Sequence, residues 1–201
     1  MRAELRADFL LGAYAAGIFP MADEQEDIRW FAPDPRAIIE LDALKVSRSL
    51  RAAIRRRVFD ITIDSAFSEV IKACADRAEG TWISSEIVEA YSELHRLGFA
   101  HSVEAWKAGE LAGGLYGVAL GGAFFGESMF HRESDASKVV LVWLVERMRE
   151  RGFVLLDVQF LTEHLLHFGA LEIPRDEYER RLGEAINRRC ALGDRRRPEQ
   201  Q

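Results

Sequence analysis

The chain has 201 residues, of which 48% are hydrophobic and 30% are charged, and this is enough for one sizeable hydrophobic core. The formal net charge of −6 argues against nonspecific binding of nucleic acid over the whole surface. No run of about eighteen apolar residues is present, so no membrane-spanning helix is predicted. The two cysteines exclude a disulfide scaffold and, with an N-terminus that has no signal-peptide pattern, predict a cytoplasmic protein.

The first predicted element is a helix over about residues 4–16, which Gly17 ends. An apolar loop that includes Met21 follows this helix, although most loops are polar and solvated. A short strand over residues 37–41 then begins the longer part of the chain.

Two prolines separate these parts of the chain. Pro33 and Pro35 indicate a boundary between a small N-terminal domain, residues 1–34, and a main domain, residues 35–190. The arginine-containing tail at residues 191–201 is expected to be disordered.

An arginine-rich helix is predicted to begin after Ser47, its N-cap, and to end near Arg57. Arg48, Arg51 and Arg55 have the spacing i, i+3 and i+7, which places them on one face. This face is either simply solvated or in contact with RNA phosphates, and the lack of acidic residues to offset the arginines leaves both interpretations open.

The next segments alternate between strand and helix. A strand over residues 58–63 is followed by a helix over residues 65–75, with Asp64 as its predicted N-cap. Trp82 then lies in a loop before a helix over residues 85–97. An aromatic residue at such a position serves either as a packing anchor or as a platform for a ligand.

From residue 100 onward the pattern predicts a sheet with helices packed on it. The predicted elements are strands 101–107, 111–120 and 123–130, a helix 136–150 capped by Asp135, a strand 153–159, a helix 162–168 and a last helix from Arg175. The first three strands form an antiparallel meander. The fold class is therefore α/β (α+β), with a mixed sheet flanked by helices and preceded by a short N-terminal segment.

Two predicted strands carry polar residues where burial is expected. Glu127 lies in the sequence G-G-A-F-F-G-E-S-M-F, and Asp157 and Gln159 lie in F-V-L-L-D-V-Q. An unpaired buried carboxylate costs several kcal/mol, so these groups need partners or a ligand. Because side chains alternate along a strand, Asp157 and Gln159 share one face. The pattern predicts either a site between the two strands or a satisfied polar network in the core.

Several short blocks, in this order along the chain, resemble the leucyl/phenylalanyl-tRNA–protein transferase family. The blocks are G-I-F-P at Gly17–Pro20, P-D-P-R-A at Pro33–Ala37, S-R-S at Ser47–Ser49, E-G-T-W-I at Glu79–Ile83, G-G-x-Y-G at Gly113–Gly117, G-E-S-M-F at Gly126–Phe130, A-S-K at Ala136–Lys138 and D-x-Q at Asp157–Gln159. The combination is specific, and the resemblance extends over roughly residues 7 to 182.

The resemblance implies a catalytic domain of the GNAT acyltransferase type behind a small N-terminal domain. It implies an enzyme that moves leucine or phenylalanine from aminoacyl-tRNA to proteins beginning with Arg or Lys, which marks them for degradation. No cofactor and no metal are implied, and His164 and His167 have no third ligand spaced to join them. A monomer without membrane association is the favoured form.

The resemblance also assigns roles to residues. It implies that Asp157 and Gln159 are the catalytic pair and that Glu127 binds the acceptor peptide. The other implied residues are Met21 and Trp82 at the adenosine, Leu115, Phe124, Met129, Leu144, Met148 and Leu156 around the amino-acid side chain, and Arg48, Arg51 and Arg55 at the tRNA phosphates. Met21 replaces an aromatic residue of the family, Leu144 replaces a phenylalanine, and the N-terminal domain is expected to be truncated.

The chemistry of the implied reaction needs little from the protein, because the aminoacyl ester of tRNA is already activated. The carbonyl of Gln159 can accept a hydrogen bond from the attacking amine, and Asp157 can orient that amide.

Two alternative functions remain. An N-acetyltransferase using acyl-CoA would need glycines before the helix that begins at Ala136, where the sequence is H-R-E-S-D-A-S-K. A non-catalytic RNA-binding module would leave Asp157 and Gln159 as core polar groups.

Overall fold

A computed structural model describes residues 5–77 and 80–193 of the chain. The tail predicted to be disordered therefore lies mostly outside the described residues, as does Glu79 of the block E-G-T-W-I. None of the described helices has the length and apolar character that crossing a membrane requires.

The N-terminal segment consists of helix α1 (Ala7–Ala15) and a two-stranded hairpin, β1 (Phe19–Ala22) and β2 (Ile28–Phe31). The prediction of an apolar loop around Met21 was wrong, because backbone pairing with β2 makes this segment a strand. Four consecutive apolar or small residues give no alternation by which such a strand could be recognised.

The main sheet has seven strands in the order β4-β5-β6-β7-β8-β3-β9. Its strands are β3 (Arg36–Ile39), β4 (Asp60–Ile63), β5 (Ala100–Lys107), β6 (Glu110–Leu120), β7 (Ala123–His131), β8 (Leu155–Gln159) and β9 (Leu171–Ile173). Every neighbouring pair is antiparallel except β7 and β8, which run parallel. The predicted mixed sheet with an antiparallel meander is confirmed.

Within the described residues, six further α-helices cover the two faces of this sheet. They are α2 (Arg48–Arg55), α3 (Phe67–Ala75), α4 (Ser85–Arg96), α5 (Ala136–Glu150), α6 (Glu163–Leu166) and α7 (Arg175–Ile186). Helices α1, α3, α4 and α7 pack on one face, and α2, α5 and α6 pack on the other. The boundary predicted after residue 34 stays a prediction, although Leu10, Tyr14 and Phe19 of the N-terminal segment share a core with Phe125 of β7.

Of the three predicted helix caps, the one at Asp64 was wrong and the one at Asp135 was right in position only. Ser47 does accept a hydrogen bond from the amide of Leu50, as expected for the N-cap of α2. Asp64 instead accepts from the amide of Ser102, and Ala66 is the N-cap of α3. Asp135 is the N-cap residue of α5, as predicted, but its side chain pairs with Lys138 at 2.7 Å and makes no capping hydrogen bond. Both aspartates have left-handed backbones, with φ of 57° and 67°, whereas an N-cap residue is usually extended.

The parallel strands β7 and β8 separate beyond a short paired stretch, and this opens the sheet. They pair only where Ala123–Phe125 face Leu155–Asp157. A β-bulge lies just past this stretch, because Gly117 faces Gly126 while the preceding residue of β6 already faces Ser128. Glu127 is the extra residue, and bulges commonly redirect a side chain in this way. Gly117 is required here, since a Cβ at this position would lie 2.2 Å from the carbonyl oxygen of Phe125.

Candidate active site

A cavity of about 520 Å³ lies where β7 and β8 separate, and its lining includes residues from both faces of the sheet. The predicted binding residues that line it are Met21, Trp82, Leu115, Met129, Leu144 and Leu156, together with Glu127 and Gln159. Phe124 and Met148 are fully buried and are not among its lining residues. The arginines of α2 are exposed and also lie outside its lining.

Asp157 is fully buried behind the cavity wall and is bound by four donors. Its Oδ1 accepts from Arg36 Nε at 2.9 Å and from the amide of Gln159 at 2.9 Å. Its Oδ2 accepts from Arg36 Nη2 at 2.7 Å and from the hydroxyl of Tyr178 at 2.6 Å. A carboxylate offers about four lone-pair positions, so the acceptor capacity of Asp157 is filled.

Arg36 is the partner that sequence reasoning missed. Its side chain is 1% exposed, and its guanidinium lies between the rings of Phe19 and Tyr178, 4.7 Å from each centroid. Its Nη1 donates to the carbonyl of Gly17 at 3.0 Å. The bidentate pair with Asp157 and these contacts satisfy a charge that would otherwise be costly to bury.

Gln159 projects into the cavity from a strained backbone position at the end of β8. Its φ is +60°, a left-handed conformation that non-glycine residues rarely adopt. The hydrogen bond from its amide to Asp157 helps hold this conformation. Its side-chain Nε2 donates to Glu127 Oε1 at 3.2 Å, so the amide group connects the two walls of the opening.

Glu127 is half-buried and accepts hydrogen bonds from three side chains. The hydroxyl of Tyr14 donates to Oε1 at 2.7 Å, the hydroxyl of Tyr91 donates to Oε2 at 3.4 Å, and the two hydroxyls also contact each other. Burial raises the pKa of Glu127 to about 8, with the negative charge of Asp157 contributing in the same direction. The hydrogen bond from Tyr14 opposes this shift without cancelling it.

The tyrosines around Glu127 were also missed, because they come from elements distant in sequence. Tyr14 lies on α1 and Tyr91 on α4, and both are fully buried. Burial and the nearby carboxylate raise both of their pKa values well above the ordinary value. The hydroxyls therefore stay protonated as donors over the physiological range. The one sequence signal for them is that each tyrosine lies on the face of its predicted helix that is expected to be buried.

The apolar side of the cavity is formed by β6, β7 and α5. Leu115 and Met129 are paired across the two strands, and Leu141 and Leu144 lie on one face of α5. On the other side, the carbonyl of Trp82 accepts from the amide of Ala22, which ties the tryptophan loop to the hairpin. Both sides open onto the Glu127–Gln159 pair. In the described parts of the chain, metal-binding side chains do not gather in groups of three or more.

An apolar chamber beside a carboxylate–amide pair fits an enzyme of the transferase class that holds two substrates side by side. Sequence comparisons define the class further. Residues 38–183 match the family described as leucyl/phenylalanyl-tRNA protein transferase, and residues 3–34 match its N-terminal domain. The chain belongs to this family, whose members act on aminoacyl-tRNA and protein acceptors.

Three relatives named leucyl/phenylalanyl-tRNA–protein transferase illustrate the similarity. The one from Rubrobacter xylanophilus is 58% identical over 183 residues, covering 90% of this chain and 95% of its own. The one from Salinibacter ruber is 56% identical, covering 92% and 81%. The one from Gloeobacter violaceus is 55% identical, covering 94% and 98%.

Solved structures match more distantly. A ribosomal-protein-alanine N-acetyltransferase from Brucella melitensis biovar Abortus 2308 matches with a TM-score of 0.40 at 19% identity, covering 69% of this chain and 94% of its own. A conserved protein of unknown function from Bacteroides thetaiotaomicron matches with a TM-score of 0.49 at 12% identity, covering 87% and 61%. The family membership rests on the family match and on the sequence relatives, not on these structures.

Proposed function

We propose that this protein transfers leucine or phenylalanine from aminoacyl-tRNA to the N-terminus of proteins that begin with Arg or Lys, in the cytoplasm and as a monomer. One observation carries the proposal. A single cavity brings the apolar residues Leu115, Met129 and Leu144 together with the polar pair Glu127 and Gln159. The family membership supplies the donor and the acceptor, and the modified proteins are then substrates for degradation.

The reaction is an aminolysis of the aminoacyl ester. The α-amine of the acceptor attacks the ester carbonyl carbon, a C–N bond forms, and the C–O bond to the ribose breaks. The attacking nitrogen loses a proton and the departing ribose oxygen gains one. The α-amine has a pKa of about 7.7–8.0, so it is substantially neutral near physiological pH and needs orientation more than a strong base.

Gln159 is the group that we assign to the attacking amine. Its Nε2 already donates to Glu127, which leaves the side-chain carbonyl oxygen to accept a hydrogen bond from the amine. An amide cannot take the proton at neutral pH, so this contact aligns the nitrogen and stabilises the charge that develops on it.

Asp157 acts in this proposal as a positioning residue and not as a base. Its oxygens are filled by Arg36, Tyr178 and the amide of Gln159, and it is fully buried. The contact to Gln159 is made through the main chain, whereas the sequence suggested that Asp157 orients the side-chain amide. Asp157 thereby fixes the strained backbone that points Gln159 into the cavity, and its charge favours a developing ammonium.

Glu127 provides the site for the cationic first residue of the acceptor. With a pKa of about 8 it is largely protonated in the empty cavity at neutral pH. An arriving Arg or Lys side chain favours the carboxylate, so binding of the acceptor is expected to release a proton. A neutral first residue gains no such contact.

A transfer assay tests the proposal directly. Purified protein is mixed with tRNA carrying radiolabelled leucine, phenylalanine or valine and with peptides that differ only in a first residue of Arg, Lys or Ala. Labelled product is expected from leucine and phenylalanine with the Arg and Lys peptides. Acetylation of the peptides from acetyl-CoA, or tRNA binding without transfer, would overturn the proposal in favour of one of the two alternatives.

A further inference from the structure

Arg77 lies on the cavity wall and has no acidic partner among the residues that the structure describes. Its Nε donates to the carbonyl of Cys74 at 3.1 Å. Its Nη2 donates to Ser128 Oγ at 2.7 Å and to the carbonyl of Met129 at 3.3 Å. These contacts orient the guanidinium but are all made to neutral groups. A guanidinium held in this way keeps its charge and donors for an anion.

Tyr116 supplies a second polar group on the same wall. The residue is fully buried, lines the cavity, and its hydroxyl has no hydrogen-bond partner within the described ranges 5–77 and 80–193. Buried hydroxyls are nearly always paired, so this hydroxyl has the capacity for one further contact. Burial raises the pKa of Tyr116 well above its ordinary value, while the charge of Arg77 acts in the opposite direction. The hydroxyl therefore remains a donor, and the two groups are within electrostatic range.

Trp82 places an aromatic ring beside this pair. It follows Arg77 by five residues in the loop between α3 and α4, and both side chains line the cavity. Indole rings stack on the bases of single-stranded nucleic acid, and arginine binds phosphate. Arg77 is also exposed, so it lies at the mouth of the cavity. An RNA strand whose 3′ end is bound inside the cavity must leave through this mouth.

We propose that Arg77, together with Ser128 and Tyr116, forms a subsite for the 5′-phosphate of the terminal nucleotide of aminoacyl-tRNA. This inference rests on the proposed function and names a contact that the function does not itself require. The subsite holds the nucleotide through its phosphate and ribose edge while Trp82 contacts the base. Such a contact is useful in this chain, because Met21, which also lines the cavity, offers the base no aromatic face.

Calorimetric binding of adenosine and of adenosine 5′-monophosphate isolates the phosphate contact. The wild-type protein is expected to bind the monophosphate roughly tenfold more tightly, since charge-assisted hydrogen bonds at a partly exposed site contribute about this much. Arg77→Met should remove the preference and leave adenosine binding unchanged, and Arg77→Lys should keep part of it. Tyr116→Phe should reduce it. Arg132→Met is the matched control, because Arg132 lies over the ring of Phe130 and outside the cavity lining.

Equal binding of the two ligands by the wild type, or a preference that survives in Arg77→Met, would overturn the inference. The inference would also be overturned if inorganic phosphate competed with the monophosphate equally well in the wild type and in Arg77→Met, because the anion would then bind elsewhere. Transfer activity separates the two proposals. A wild type that transfers leucine without preferring the monophosphate contradicts the subsite alone, whereas absence of both transfer and adenosine binding contradicts the proposed function. Melting temperatures of all variants establish that they are folded.

Discussion

Asp157 and Arg36 form a buried ion pair, and its removal affects stability and catalysis in different ways. Removing one partner of such a pair costs about 3–5 kcal/mol, because the other charge remains buried and unpaired. We therefore expect Asp157→Ala to lower the melting temperature strongly as well as to abolish transfer. Thermal denaturation and the transfer assay measure the two effects.

A double variant separates these effects. Arg36→Met combined with Asp157→Leu replaces the pair by apolar side chains, which is often neutral or stabilising. It should recover much of the stability but not the transfer activity. A double variant that melts like the wild type and also transfers leucine at the wild-type rate would show that Asp157 has no part in the reaction.

The charge of Glu127 is tested by Glu127→Gln, which keeps the shape of the side chain. Losing a charge-assisted bond to the acceptor should cost about 1.5–3 kcal/mol, or roughly ten- to a hundredfold in the kcat/KM for Arg and Lys peptides. The Kd for aminoacyl-tRNA should hardly change. If the variant instead loses peptide activity, tRNA binding and melting temperature together, Glu127 supports the strand and not the substrate.

The same variant has an expected signature in the pH dependence of stability. The pKa of Glu127 is about 8 in the folded protein and near 4.5 when unfolded, so the folded state binds more protons between these values. Stability contributed by this group is therefore present below about pH 4.5 and decreases as the pH rises towards 8. Glu127→Gln lacks this dependence. The melting temperature of the variant, relative to that of the wild type, should therefore rise from pH 5 to pH 8. If the two melting temperatures change with pH in parallel, the shifted pKa is contradicted.

The polar groups of the site were only partly predictable from the sequence. Glu127, Asp157 and Gln159 interrupt apolar strands, and that local contrast is visible in a single chain. Arg36 and Tyr178 are separated from Asp157 by 121 and 21 positions, and nothing in their own segments indicates that they meet there. Such contacts follow from how β3 and α7 pack beside β8, which local patterns do not encode.

Helix α2 presents its arginines to solvent. Arg48, Arg51 and Arg55 are exposed and have no acidic partner in the part of the chain that the structure describes, although Arg51 Nε donates to the carbonyl of Val46. If the helix meets tRNA phosphates, each Arg→Ala change should weaken binding equally for all tRNA sequences. The slope of log K against log salt should fall by about one per lost contact, or less for single-stranded RNA.

A charge-matched control keeps this test specific. On α7, Arg180 is exposed and Arg175 is partly exposed, but both pair with neighbouring glutamates, so replacing them by Ala should leave tRNA binding nearly unchanged. Unchanged affinity of the triple α2 variant at low salt would assign the arginines to a solvated face.

The ends of strands and helices were predicted well where a local sequence pattern marks them. Each end of the three meander strands was predicted to within one residue, because alternation and glycine turns are local signals. Strand β1 was missed, since pairing with β2 is what makes it a strand. The predicted cap at Asp64 failed because His101 and Ser102, which are distant in sequence, hold its carboxylate. Asp135 is at the predicted N-cap position, but its carboxylate is held by Lys138 of the same helix.

At the scale of the whole molecule, one buried cation connects segments that are far apart in the sequence. Arg36 binds the carbonyl of Gly17 at the end of α1, packs on Phe19 of β1, bonds to Asp157 of β8 and lies against Tyr178 of α7. The N-terminal segment and the last helix are thus joined to the strand that positions Gln159. The candidate active site is therefore expected to depend on the stability of both.

Hydrogen exchange measures this connection. Arg36→Met should lower amide protection in α1 and in α7 together, because both lose a bond or a packing contact to the same guanidinium, while β5 at the far side of the sheet should change less. Arg181→Met is the matched control, since Arg181 lies on α7 but pairs with Glu40 and Glu177 near the surface. It should affect α7 locally and leave α1 unchanged. Loss of protection confined to β3 in Arg36→Met would mean that the guanidinium satisfies Asp157 without joining the segments around it.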